Sequence, residues 1–222
     1  MAWRRLRTEQ LIDKLVADLR PLHFERRIRT RRLWTAAIAA IVFLSMFLTK
    51  PLRADLSARL ADETFTISIA TSAMIFVTGV LALLNVRVSW RSRLWFLVPL
   101  IALGLWFASE FASIAFDVFR EGWRAFAFES SSQCPLVIGV VGSPVFFALL
   151  GLSRIGLIVR REPIIAVAAL SAFSLPATML NLFHGLDTGA MVLLWHFSAV
   201  TVFSIAAASV LRWRLLYDWL AL

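Results

Sequence analysis

The stretch Leu94–Phe116, LWFLVPLIALGLWFASEFASIAF, runs for 23 residues with one ionisable side chain, Glu110. A helix of that length rises about 34 Å at 1.5 Å per residue, enough to cross a hydrocarbon core of about 30 Å. No water is available there to satisfy a bare peptide group, so such a segment must pair its backbone internally, as a helix does. Five further apolar runs repeat the pattern: Leu33–Thr49, Phe65–Val86, Cys134–Ser153, Pro163–Phe183 and Ala190–Leu211, the shortest of 17 residues. The expected fold is all-α, a polytopic membrane protein of six transmembrane helices. A composition that is 60% hydrophobic, with mean hydropathy +0.79, excludes an ordinary soluble domain, which runs nearer about 45–50% apolar.

Working outward, the basic residues fix an orientation. Ten Lys and Arg precede the first run, three lie in each of 87–93 and 154–162, and two follow the last run. The alternate connections hold three, two and none, so eighteen fall on one face and five on the other. The positive-inside rule then places both termini in the cytoplasm. The net charge of +9 does not point to direct nucleic-acid binding. Arg87, Arg91 and Arg93, like Arg154, Arg160 and Arg161, sit in short connections, where each gains about 1 kcal/mol from anionic headgroups. Trp34, Trp90, Trp95, Trp123, Trp213 and Trp219 lie near span ends and suit an interfacial aromatic belt. The first apolar run is followed by no small-residue cleavage site, so a removed signal peptide is not expected. One cysteine allows no disulfide within a single chain.

Two parts of unequal size follow: a cytoplasmic segment over residues 1–32 and a bundle over 33–222. Thr8–Leu22 reads TEQLIDKLVADLRPL. Thr8 can cap a helix and Glu9 suits its first turn. Leu11, Ile12, Leu15, Val16, Leu19 and Leu22 recur at helical spacing as one apolar stripe, with Asp13, Lys14, Asp18 and Arg20 off it. Pro21 disfavours helical geometry at Arg20 and ends the regular helix there. Burying such side chains gains roughly 1.5–3 kcal/mol each. Three destinations compete for the stripe: a groove on another protein, the membrane surface, or the chain's own loops. Glu9, Asp13 and Asp18 weigh against an anionic membrane. The stretch HFERRIRTRR that follows is a basic juxtamembrane collar.

Within the spans, Glu110 and His196 are the exceptions to an apolar interior, and intramembrane ionisable groups mark function often enough to be examined first. By residue count both lie six residues from the same end of the bundle, so they share a depth and would pair if their helices were neighbours. Such a pair would respond to protons or metal; a plain structural hydrogen bond, or snorkelling to water, is the simpler reading. A looser group at that end is Glu129, Cys134, His184 and Asp187, of which Cys134 and His184 are weak metal-ligand candidates lacking CxxC or HxxxH spacing. Oxidation or cross-linking at Cys134 is the redox variant, against the plain reading of a buried small hydrophobe. Gly139, Gly142 and Ser143, then Ala166, Ala169 and Ala172, then Ser204, Ala207 and Ala208 permit close helix approach.

No enzyme is expected. Gly151–Arg154 (GLSR) is a partial match to the serine motif of rhomboid proteases, but Arg154 replaces the glycine and the topology separates Ser153 from both span-associated histidines. No phosphate-binding loop, HExxH or dinucleotide fingerprint occurs, and no cofactor is implied.

Taken in order, several elements resemble the NrsF-type family of bacterial membrane anti-sigma factors: TEQLIDKLVADLRPL, Arg53-Ala54-Asp55-Leu56, Cys134-Pro135, Leu152…Arg154…Glu162-Pro163, Pro176…Asn181…His184 and Arg212-Trp213. The resemblance spans nearly the whole chain. It implies an inner-membrane protein whose N-terminus holds an extracytoplasmic-function sigma factor away from RNA polymerase, with Leu11, Ile12, Leu15, Val16, Leu19, Asp13 and Asp18 as the docking residues. It further implies that an envelope, redox or metal signal is sensed near the outer face, with Cys134, His184, Glu110 and His196 the candidates. Members commonly carry a second cysteine directly after the loop histidine; this chain has Gly185, so thiol sensing would rest on Cys134 alone. The alternative from another class is a small six-helix transporter or channel using Glu110 and His196.

Overall fold

A computed structural model describes residues 24–49, 51–85, 92–126, 133–154, 161–183 and 188–220. All regular structure among them is helical. The elements are α1 (Phe24–Thr49), the short α2 (Leu56–Leu60), α3 (Glu63–Asn85), α4 (Ser92–Glu121), a 3₁₀ turn (Gly122–Phe126), α5 (Gln133–Arg154), α6 (Arg161–Phe183), a single turn α7 (Gly189–Met191), a π-helical segment (Val192–Phe197) and α8 (Ser198–Leu220).

Five of these stretches are long and apolar enough to cross a membrane: Glu63–Asn85, Leu94–Phe126, Gln133–Gly151, Pro163–Phe183 and Gly189–Leu211. The sixth expected span, Leu33–Thr49, is the shorter apolar end of α1. Several helices outrun the apolar runs that announce them. α4 continues past Phe116 through Asp117, Arg120 and Glu121, because a charge at the interface does not interrupt backbone hydrogen bonding. It stops where Gly122 takes a left-handed φ of 62°, a conformation glycine adopts without the steric cost of a Cβ.

α6 is the axis. Buried residues make up 78% of its most apolar window, against 22–39% in the other four spans. It packs on α3, α5 and α8, and α3 packs in turn on α4. The reason is in its side chains. Ala168, Ala169, Ser171, Ala172, Ser174 and Ala177 are all fully buried, so neighbours approach from every side rather than from one stripe. Facing helices answer with glycine: a Cβ at Gly79 of α3 would overlap the Ser171 hydroxyl, and one at Gly142 of α5 would overlap the Phe173 ring. Gly139 lies under Phe203, whose Cζ would stand 3.0 Å from an added Cβ. Pro144 and Pro176 lie inside α5 and α6 as the sequence indicates, and Pro99 lies inside α4. Near Pro176, hydroxyls bond back to the α6 backbone: Ser174 Oγ to the Ser171 carbonyl at 2.9 Å and Thr178 Oγ1 to that of Ser174 at 2.9 Å. Helices in a bilayer accommodate proline through such bonds.

The connection between α1 and α3 does more than link helices. Arg53 is buried, donates from Nε and Nη2 to the two carboxylate oxygens of Asp55 at 2.7 and 2.9 Å, and lies 5.3 Å from the Phe65 ring centroid. Its backbone N–H donates to the Leu182 carbonyl at 3.1 Å, tying this connection to the last turn of α6. A bidentate guanidinium–carboxylate pair fixes geometry as well as charge. Asp62 then starts α3 by accepting from the backbone N–H and the hydroxyl of Thr64, at 3.0 and 2.8 Å.

Candidate functional site

Glu110 sits on one face of α4 with Trp106, Ser113 and Asp117, residues spaced by three and four that a helix stacks in a line. It is 1% exposed. Its Oε1 accepts from the Trp106 indole N–H at 2.8 Å and from the Ser68 hydroxyl of α3. A polar seam continues from there: Thr71 and Ser109 hydroxyls lie 3.3 Å apart, and Thr178 of α6 donates to Ser72 of α3 at 3.1 Å. These hydroxyls face each other in the bundle, where an unpaired polar group would meet no water.

At the α2 end of the seam the helices part around a cavity of about 40 Å³. Its wall includes Asp62 and Ser68, then Glu110, Ser113 and Asp117 of α4, then Asn181 of α6 and Gly189 of α7. Arg59 stands at the exposed edge, 3.5 Å from an Asp55 oxygen and 3.9 Å from an Asp62 oxygen. Asp117 Oδ2 accepts the Gly189 N–H at 3.1 Å, which joins α4 to the start of the last span. The approach at that point is close: a Cβ on Gly189 would stand 2.7 Å from Ser113. Asn181 is 1% exposed, and among the described residues neither its amide nitrogen nor its amide oxygen has a hydrogen-bond partner.

His196 is buried on the π-helical segment. Phe197, beside it, packs against Trp106 and Phe107 with ring centroids 5.3 and 5.2 Å apart. Single-turn π segments inside spans widen the helix and recur at functional sites. His196 does not line the cavity; the partners described for Glu110 are Trp106 and Ser68. Cys134 is 2% exposed at the head of α5, among the apolar core residues. His184, Asp187 and Glu129, and the whole docking stripe (Leu11, Ile12, Asp13, Leu15, Val16, Asp18 and Leu19), lie outside the described residues. Among the described residues no three His, Cys, Asp or Glu side chains are placed to hold a metal ion.

The structure thus brings Glu110 together with residues that a search for charges inside apolar runs passes over. Ser113 and Asp117 follow Glu110 at helical spacing and could have been found as the continuation of its face. Asn181, an uncharged amide late in an apolar run, carries a weaker signal.

Compared with known proteins, residues 15–217 match the family described as NrsF, negative regulator of sigma F. Neither a curated protein nor a solved structure matches the chain.

Proposed function

Since the chain belongs to the NrsF family of negative regulators of sigma F, we propose that it is a transmembrane anti-sigma factor holding an extracytoplasmic-function sigma factor at the bacterial inner membrane. The family match over 203 of 222 residues carries this reading. It ranks above the transporter alternative, which rests on Glu110 and His196 alone. The protein acts by binding, not by catalysis.

In this reading both termini face the cytoplasm and Leu33–Thr49 is the first of six crossings. The eighteen-to-five distribution of basic residues supports that orientation. The 26-residue length of α1 supports the crossing, since it rises about 39 Å. Leu11, Ile12, Leu15, Val16 and Leu19 fill an apolar groove on the sigma factor, while Asp13 and Asp18 meet its basic DNA-binding surface. Release follows an envelope, redox or metal signal that favours a second arrangement of the bundle by a few kcal/mol. Glu110, His196, His184 and Cys134 are the sensing candidates. Because Cys134 is buried, an oxidant or metal reaches it only after the head of α5 opens.

The test is deletion of residues 1–22 in the membrane-expressed protein. Co-purification of a sigma factor is expected to disappear while the bundle stays inserted. Retention of the sigma factor by the truncated protein overturns the docking assignment; failure of the full chain to retain any sigma factor overturns the function.

A further inference from the structure

We propose that the cavity bounded by α3, α4 and α6 is a binding site for a hard divalent cation, of the Mg²⁺ or Ca²⁺ type, held partly through the ion's own waters. The inference starts from Asn181. Its amide is buried and both of its polar atoms lack a protein partner among the described residues, although it lines a cavity with room for a few small species. A buried amide left unpaired is disfavoured, so the geometry calls for an occupant that meets both an acceptor and a donor.

The charge of the wall selects the sign of that occupant. Among the described residues three carboxylates line it, those of Asp62, Glu110 and Asp117, against one guanidinium, that of Arg59. Arg59 is turned to Asp55 and Asp62 and leaves the deeper two acids to the cavity. The hydrogen bonds described engage Oε1 of Glu110 and Oδ2 of Asp117, so the second oxygen of each carboxylate is left for a ligand. Hydroxyls of Ser68 and Ser113 add further oxygen donors.

The donor set also selects the class of ion. Oxygen ligands suit hard cations, and among the described residues the cavity wall has neither thiolate nor imidazole. Since no three acidic or imidazole groups converge on one point among the described residues, the protein does not supply a full coordination shell. Mg²⁺ is commonly bound that way, through one or two carboxylates while keeping several waters. Those waters donate to the free carboxylate oxygens and to Asn181 Oδ1, and a further water accepts from Asn181 Nδ2. The site is read from geometry and does not rest on the sigma-factor reading. With the orientation proposed above, its mouth faces the periplasm.

Full-length protein in detergent or nanodiscs is titrated with MgCl₂ and CaCl₂, with NaCl at matched ionic strength as control, and the thermal unfolding midpoint is followed. Saturable rises of about 5 °C are expected with either divalent salt, the size that ligand linkage gives at high occupancy. NaCl should not reproduce them. Asn181→Leu is expected to abolish the rise while leaving the ion-free midpoint at or above that of the parent, because it removes the unpaired amide. Asp117→Asn keeps an acceptor for the Gly189 N–H and should also abolish the rise. A divalent effect no larger than that of NaCl overturns the proposal, as does a full rise in both variants. If Asn181→Leu does not fold, Asp117→Asn alone decides. No sigma factor is needed, so failure here leaves the docking proposal standing.

Discussion

Trp106 donates its indole N–H to Oε1 of Glu110, one helical turn away on α4, at 2.8 Å, and both side chains are fully buried. The ring therefore has two roles: it packs against Phe197 and it holds a carboxylate in place. Trp106→Phe keeps most of the packing and removes the donor. Leaving a buried acceptor under-satisfied costs about 1–3 kcal/mol, so the unfolding midpoint should fall. Glu110→Gln keeps an acceptor for both donors and should fall less. Equal losses in the two variants would mean that the bond is not what stabilises this region.

Asp55 gives a pH prediction. The hydrogen bond from Arg53 is the chief cause that holds its carboxyl at about 2, below the ordinary 3.8. A carboxylate with a depressed value stabilises the fold fully above its unfolded value and stops doing so as pH falls through the folded one. The contribution of this pair should thus be complete above about pH 4 and fade toward pH 2. Asp55→Asn should remove that part of the acid sensitivity. Asp55 is half exposed, so added salt should narrow the difference between variant and parent. An unchanged acid limb in Asp55→Asn refutes the assignment.

Helix contacts at glycine predict opposite signs for one kind of substitution. Gly142→Ala drives a methyl into the Phe173 ring and Gly79→Ala drives one into Ser171. Overpacking of this kind costs about 1–3 kcal/mol. At Gly104, in the middle of α4, an added Cβ meets nothing within 4 Å. Gly104→Ala should be neutral or stabilising by about 0.4–1 kcal/mol, through the unfolded chain. Thermal midpoints of the three purified variants separate these outcomes.

For the N-terminal stripe, the double change Leu15→Glu and Leu19→Glu places two charges on the proposed docking face. Sigma-factor recovery in a pull-down should drop at least tenfold with membrane expression unchanged; recovery at the parental level would show that the stripe is not the contact.

Much of the architecture was legible in the chain. The apolar runs at Phe65–Val86, Leu94–Phe116, Cys134–Ser153, Pro163–Phe183 and Ala190–Leu211 each became a long helix, because a bilayer imposes length and composition together. Helix ends were less legible: Asp117 marks where apolar character stops, whereas Gly122, five residues later, marks where α4 stops. The family was readable from short elements in order, and the match over residues 15–217 bears that out. The cavity was not. Asn181 and Asp117 lie 64 residues apart in sequence, and only the packing of α6 against its neighbours brings them to one wall. Arg53 was legible only as part of the Arg53-Ala54-Asp55-Leu56 element; its burial is set by Asp55, the Phe65 ring and the Leu182 carbonyl, three positions with no common period.

α6 runs 23 residues, about 34 Å, and meets protein rather than acyl chains along most of that distance. It begins at Arg161 and carries Asn181 near its far end. A shift of the Asn181 end has little fluid surface along which to dissipate, and the surrounding helices must tilt or slide for the rod to move. α6 is therefore sheathed by its neighbours, and protein packing rather than lipid sets where it lies.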